Sequence, residues 1–178
     1  QLGNIGGNVL ADVLTGKVTP SGKLTDTWAK RYEDYPSSAK FSHNDGNVDD
    51  EYYSDGIYVG YRYFDTFGVE PLYPFGYGKS YAEFEVKTDG VQVENGTVRV
   101  LVTVANRGTE YAGKEVVQVY TSAPEGSLKK PFQELAAFGK TKLLAPGESE
   151  QLTITFAVSD MASYSEEQAA WVLEAGSY

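Results

Sequence analysis

Val91-Gln92-Val93-Glu94-Asn95-Gly96-Thr97-Val98-Arg99-Val100-Leu101-Val102-Thr103-Val104 decides the fold. Apolar and polar residues alternate on both sides of Asn95-Gly96, and in an extended chain alternation sends every second side chain to one face. Asn-Gly between two such runs signals a hairpin, because a type I′ turn needs positive φ at both central residues. The stretch therefore reads as two antiparallel strands joined by a tight turn. Asn95-Gly96-Thr97 also fits the N-glycosylation acceptor pattern, a short motif with a high chance rate, and the hairpin accounts for it fully.

Outward from this hairpin the period of two recurs. It marks Phe84 and Val86 upstream, then Val116 to Tyr120, then Leu152, Ile154, Phe156 and Val158, with Ala170 to Leu173 as a late candidate strand. Pro146-Gly147 punctuates another connection. Short strands separated by turns, with almost no helical period, indicate a β-sandwich over residues 81–178.

Before residue 81 the pattern is different. Val9, Leu10, Val13 and Leu14 fall at helical spacing, Asn8 is placed to cap the helix N-terminus, and Gly16-Lys17 reads as its end. Such a helix has one apolar face and needs a sheet to bury it, yet the nearest strand candidate is Lys23 to Trp28. Most of that sheet is expected to lie outside this sequence. Residues 35–55 form a polar, turn-rich stretch with Pro36, Gly46 and the acidic cluster Asp49-Asp50-Glu51, which reads as a long surface loop. Tyr58 to Tyr63 alternates in β style, and residues 65–78 suit an irregular linker packed by aromatics.

The 178 residues include 25 acidic and 15 basic ones, for a formal charge of −10. That balance disfavours nucleic acid and anionic membranes as partners, since phosphate contacts need clustered Lys and Arg. No stretch of 18 or more apolar residues is present. The absence of cysteine excludes disulfides, thiolate metal sites and cysteine nucleophiles. It leaves localisation unassigned between a bacterial cytoplasm and secretion.

Several phrases together resemble one family. They are Gly6-Gly7-Asn8 through Pro20-Ser21-Gly22-Lys23-Leu24, the run from Gly56 to Asp65, Tyr73-Pro74-Phe75-Gly76-Tyr77-Gly78-Lys79-Ser80-Tyr81, Asn106-Arg107-Gly108, Gly113 to Tyr120, and Leu144-Ala145-Pro146-Gly147-Glu148. The chain resembles, over nearly its whole length, the later part of glycoside hydrolase family 3, the β-glucosidase family. The resemblance implies residues 1–34 as a C-terminal remnant of an α/β sandwich, residues 35–80 as loop and interdomain linker, and residues 81–178 as a fibronectin type III-like (immunoglobulin-like) β-sandwich. Glu174 to Tyr178 resembles the turn into that sandwich's last strand, so the strand is expected to be lacking and an edge left open. The expected class is mainly β.

The resemblance also bears on chemistry. Retaining glycoside hydrolysis needs two carboxylates about 5 to 5.5 Å apart, one as nucleophile and one as acid/base. In the family the first sits on a separate barrel domain and the second upstream of anything matched here. Neither role is carried onto a residue of this chain, and no catalytic, cofactor-binding or metal residue and no cofactor is assigned. The expected function is the non-catalytic portion of a β-glucosidase, supplying scaffold and interdomain packing, with an independent carbohydrate- or protein-binding β-sandwich as the alternative. The expected partner is the remainder of the enzyme, through which a β-glucoside substrate is met, with self-association as a second outcome for the isolated segment.

Other residues invite chemistry and have plainer readings. Asp55 and Asp65 lie near the joint, where capping loops or pairing with Arg62 is the structural role. Arg62 sits among Tyr58, Tyr61, Tyr63 and Phe64, where a guanidinium stacks on rings and donates to carbonyls, as an interdomain clamp does. Gly76-Tyr77-Gly78-Lys79-Ser80 ends like a phosphate loop but has Tyr73 where the pattern needs glycine, and a strand follows instead of a helix. The lone His43 lies in a polar loop. Asp45, Asn47 and Asp49 begin like a calcium loop, but Asp50 and Gly56 occupy the positions that need glycine and glutamate. Trp28 and Trp171 lie in strand-like surroundings, where core packing is expected over sugar stacking.

Overall fold

The computed structural model describes residues 3–178, which divide into two compact units. The first gathers the segment ending at Lys23 with Gly78–Val119 and Ala137–Ala157; the second comprises Leu24–Tyr77, Tyr120–Ala136 and Val158–Tyr178.

In the first unit helix α1 runs Gly6–Leu14, and strands β1 (Phe84–Glu94), β2 (Thr97–Asn106) and β5 (Ser149–Ala157) form an antiparallel sheet in the order β1-β2-β5. Strands β3 (Val116–Thr121) and β4 (Glu134–Lys140) form a two-stranded sheet. The Asn95-Gly96 turn has φ of 50° and 74°, the positive pair a type I′ hairpin requires. It fixes the register Glu94↔Thr97 and Val93↔Val98.

The core follows from alternation along β2. Val98, Val100, Val102 and Val104 are all buried and share one face. Across the sheet Val98 pairs with Phe156 and Val100 with Ile154, both also buried. Gly139 of β4 lies over this layer, where a Cβ would stand 3.2 Å from Ile154 Cγ1; the missing side chain lets the second sheet approach. Phe84 and Val86 are even-numbered while Val91 and Val93 are odd. The register shifts between Thr88 and Gly90, and the bulge at Asp89 joins the two sets into one strand facing one way.

Asn106 closes this layer. Its side chain is buried, its Nδ2 donates to the carbonyls of Tyr111 (2.9 Å) and Leu144 (3.0 Å), and its Oδ1 accepts from the Gly108 N–H (3.0 Å). The following turn, Ala145 to Glu148, is closed by Glu148 N–H donating to Ala145 O, with Gly147 at φ 81° as the type II geometry demands.

Helix α1 starts two residues before the position read as its cap. Ile5 is the N-cap with no side-chain bond, and Asn8 lies inside the first turn, so Gly6-Gly7 opens the helix without a capping oxygen. The apolar stripe is as expected, but Ile5, Val9, Leu10 and Leu14 are all at least half exposed. The helix and the segment after it are fastened to the rest of the unit by Tyr81 OH donating to Val13 O (2.8 Å), by Lys23 Nζ on Glu115 (2.7 Å), and by Lys140 Nζ of β4 donating to Ser21 O (3.1 Å).

The second unit is mostly turns. Lys23 to Trp28 does not form a strand; only an isolated bridge, Trp28↔Tyr73, survives from that reading. Tyr58 to Tyr63 is likewise no strand: Gly60, at φ 53°, turns the chain into helix α2 (Tyr61–Phe67), ended by Gly68 in the left-handed conformation. Phe64, 2% exposed, anchors the helix against Tyr35, with the ring of its neighbour Tyr63 edge to face beside it. Residues 35–55 contain no strand and only one short 3-10 turn, Phe41–His43. Strands β6 (Ser163–Ser165) and β7 (Ala170–Val172) make a small antiparallel hairpin. Val158 has left β5 and begins a 3-10 turn, Val158–Met161.

Candidate functional site

Helix α2 converts the aromatic run into a docking face. In a helix, residues four apart lie on one side, and the segment that leads into β4 is held there. Tyr61 OH accepts the Leu135 N–H at 2.7 Å, Asp65 Oδ2 accepts from Gln133 Nε2 at 2.9 Å, and Thr66 Oγ1 accepts the Phe132 N–H at 2.9 Å. Arg62 Nη2 pairs with Glu134 at 3.1 Å, and its Cζ lies 6.0 Å from the Tyr61 ring centroid. The carboxylate facing Arg62 is thus Glu134 and neither Asp55 nor Asp65, because the helix turns Asp65 toward Gln133. Tyr61 also packs on Phe75 and Tyr120, whose phenol burial pushes above its ordinary pKa. Apart from the Arg62 Nε, which is buried without a hydrogen-bond partner, the polar groups named here are engaged by protein.

Beside it opens a groove of about 680 Å³ lined by Asp55, Tyr58, Lys129, Tyr164, Glu166 and Glu167 among others. One wall is held by an ion pair that sequence reading missed. Glu174 accepts from Lys130 Nζ and from both the N–H and hydroxyl of Ser127 (2.8 Å each), while Lys130 also donates to Pro124 O at 2.7 Å. These donors, Lys130 first, hold the Glu174 carboxyl down at about 2. A Cβ on Gly126 would strike the same carboxylate, which gives that glycine a steric reason. The partners are 44 and 47 residues apart, a separation no local pattern reveals.

Within residues 43–51, Asn44 Nδ2 reaches back to Ser38 O at 2.9 Å, while the side chains of His43, Asp45 and Asn47 bond within the loop. His43 Nδ1 lies 2.6 Å from Asn47 O, Asp45 Oδ1 accepts the Asn47 N–H, and Asn47 Oδ1 accepts from Asp49 and Asp50. Among the described residues no group of three or more His, Asp or Glu side chains is placed to hold a metal ion. In Gly76 to Ser80, Gly76 takes φ 81°, and Gly78 passes so close to Gly22 that a Cβ would sit 2.5 Å from its carbonyl oxygen. Backbone proximity, not phosphate, explains those glycines.

Both tryptophans contradict the expectation of core packing. Trp28 is 51% and Trp171 72% exposed. Trp28 sits at an isolated bridge with Tyr73, and Trp171 stands on the short β6–β7 hairpin with Tyr164 packed against it, edge to face at 5.5 Å.

Comparison with known proteins places this geometry. Residues 1–81 match the glycosyl hydrolase family 3 C-terminal domain, and residues 115–178 match the fibronectin type III-like domain. β-Glucosidase A of Butyrivibrio fibrisolvens is 46% identical over 201 residues, covering all of this chain and 24% of that protein. A β-glucosidase of Ruminococcus albus is 46% identical over 184 residues, again all of this chain and 19% of its own length. The structure of β-glucosidase 3B from Thermotoga neapolitana in complex with glucose superposes with a TM-score of 0.88 at 49% identity, over 97% of this chain and 24% of that one. The chain therefore spans about a fifth to a quarter of the length of the relatives it matches. It belongs to glycoside hydrolase family 3, as a segment uniting part of the C-terminal domain with a fibronectin type III-like β-sandwich.

Proposed function

We propose that this chain is a non-catalytic portion of a β-glucosidase that hydrolyses terminal β-D-glucosyl residues with retention, and that it supplies scaffold and interdomain packing. The observation that carries this reading is the end-to-end match of the chain to about a fifth to a quarter of proteins named β-glucosidases. In the family resemblance, nucleophile and acid/base lie on stretches without a counterpart here, so no residue of the chain is given a catalytic role. The division into 1–34, 35–80 and 81–178 follows the same reading, and the end of one family match at residue 81 supports its second boundary.

The partner is the remainder of the enzyme. Its support is the uncovered stripe of α1, where Ile5 is 67% and Leu14 71% exposed. Four large aliphatic side chains on one helical face bury area worth about 1.5 to 3 kcal/mol apiece when fully covered, which makes the stripe a docking surface for the parent's own α/β layer. The test is turnover of aryl β-glucosides and β-xylosides by the purified 178-residue chain beside its parent enzyme. The parent turns over and the chain does not. Turnover by the chain that survived repurification and vanished on replacing one of its own acids would overturn the reading.

A further inference from the structure

We propose that Tyr164 and Trp171 form a carbohydrate-binding platform that takes a neutral β-linked glucan chain, running from the hairpin into the adjoining groove. The choice of glucose rests on the proposed function; the platform itself rests on the geometry of the hairpin. Tyr164 and Trp171 are directly opposite each other across β6 and β7 and so stand on the same face. Their edge-to-face contact, with ring planes at 67°, fixes both rings, and at 72% exposure the indole keeps a face open to solvent. An indole face carries negative quadrupole potential. The axial C–H bonds on either side of a β-glucopyranose ring are weakly positive and flat enough to lie on it, so equatorially linked glucose units fit the platform better than α-linked chains, which curl away.

The groove supplies the polar half of the recognition. Tyr164 lines it, as does Val172 beside Trp171, so the platform and the groove are continuous. Asp55, Glu166, Glu167 and Gln168 line the same groove against one cation, Lys129. Carboxylates and an amide oxygen accept hydrogen bonds from sugar hydroxyls, while the excess of negative charge repels uronate, phosphate and nucleic acid. A neutral polyol with many donors complements that lining. The volume of about 680 Å³ falls in the range of small-molecule sites.

The experiment is affinity electrophoresis of the full-length parent enzyme in native gels containing barley β-glucan, with dextran as the α-linked control and a saturating iminosugar blocking the catalytic pocket. The enzyme is expected to be retarded by β-glucan and not by dextran. Trp171→Ala should bind about three- to tenfold more weakly, the worth of one aromatic stacking contact, and Trp171→Phe should keep most of the retardation. Both should keep the parental thermal midpoint and aryl-glucoside turnover, so a failure of the platform reads separately from a failure of the proposed function. Absence of retardation, equal retardation by dextran, or a Trp171→Ala enzyme retarded as strongly as its parent overturns the proposal. Should Trp171→Ala misfold, Tyr164→Ala and Trp171→Phe decide it by the same readout.

Discussion

Asn106→Ala tests whether the sandwich is closed by one buried amide. The side chain makes three hydrogen bonds in the first unit, two as donor to Tyr111 O and Leu144 O and one as acceptor from Gly108 N–H. Truncation leaves the Tyr111 carbonyl and the Gly108 N–H without this partner, while the Leu144 carbonyl keeps the Gly113 N–H. A buried polar group left unsatisfied costs roughly 1 to 3 kcal/mol. The Leu144 carbonyl still accepts the Gly113 N–H, and the Tyr111 and Gly108 groups are partly buried and regain some water, so the total comes to about 2 to 3 kcal/mol. Against a typical stability of about 5 to 15 kcal/mol, that is a large fraction. Because both tryptophans lie in the second unit, their fluorescence would report the wrong region. Urea denaturation followed by far-UV circular dichroism, with hydrogen exchange at the Val102 and Val104 amides, reports the right one. Asn106→Asp should be no better than Asn106→Ala at neutral pH, since it keeps the Gly108 bond but sets a carboxylate against two carbonyls. A loss below about 1 kcal/mol in Asn106→Ala, with parental exchange at Val104, would refute the reasoning.

Three further outcomes are expected from the same geometry. Arg62→Ala in the full-length enzyme should cost about 1 kcal/mol, because its pair with Glu134 is about a third exposed and screened by water; thermal melts check this, and the Michaelis constant for an aryl glucoside should stay within twofold. The Glu174 carboxyl, held at about 2 against an ordinary value of 4.5, contributes stability that is present above that ordinary value and is lost as pH falls toward about 2. Urea midpoints at pH 6 and pH 3 should therefore converge in Glu174→Gln, and an unchanged pH difference would show that the ion pair does not hold the 124–130 loop. Gly78→Ala should destabilise the first unit strongly, since its Cβ would meet the Gly22 carbonyl oxygen at 2.5 Å and backbone on both sides must shift; a melting temperature equal to the parent's would contradict that contact.

The sandwich was legible where local pattern and tertiary environment agree. The β1–β2 hairpin carries both its alternation and its turn in sequence, and the valines of β2 are buried as their spacing requires. The switch of parity between Val86 and Val91 was already a sign of the Asp89 bulge, although it reads equally well as two separate segments. Strand β4 was invisible because Glu134-Leu-Ala-Ala-Phe-Gly-Lys140 has no alternation and little β-branching; it pairs with β3 and lies on β5 through the space left by Gly139. Helix α2 reads as a strand because Tyr and Phe recur at spacings that satisfy both periods, and Gly60 turns the chain at the critical point. Around the groove, Lys130 and Glu174 are brought together by chain folding alone. The exposure of Trp28 and Trp171 could not be read from their neighbours, since strand-like sequence does not say whether a sheet is wide enough to cover a ring.

The central claim is that this segment contributes no catalytic carboxylate to its enzyme, and kcat of the full-length protein on an aryl β-glucoside tests it most directly. Asp55, on the groove, and Asp65, bonded to Gln133, are the two acids that the sequence sets near the joint, and each is replaced by asparagine. The account predicts kcat within about threefold of the parent for both. A drop of about 10²- to 10⁴-fold in either, the size expected for removal of a general acid or base, with the thermal midpoint unchanged, would contradict it.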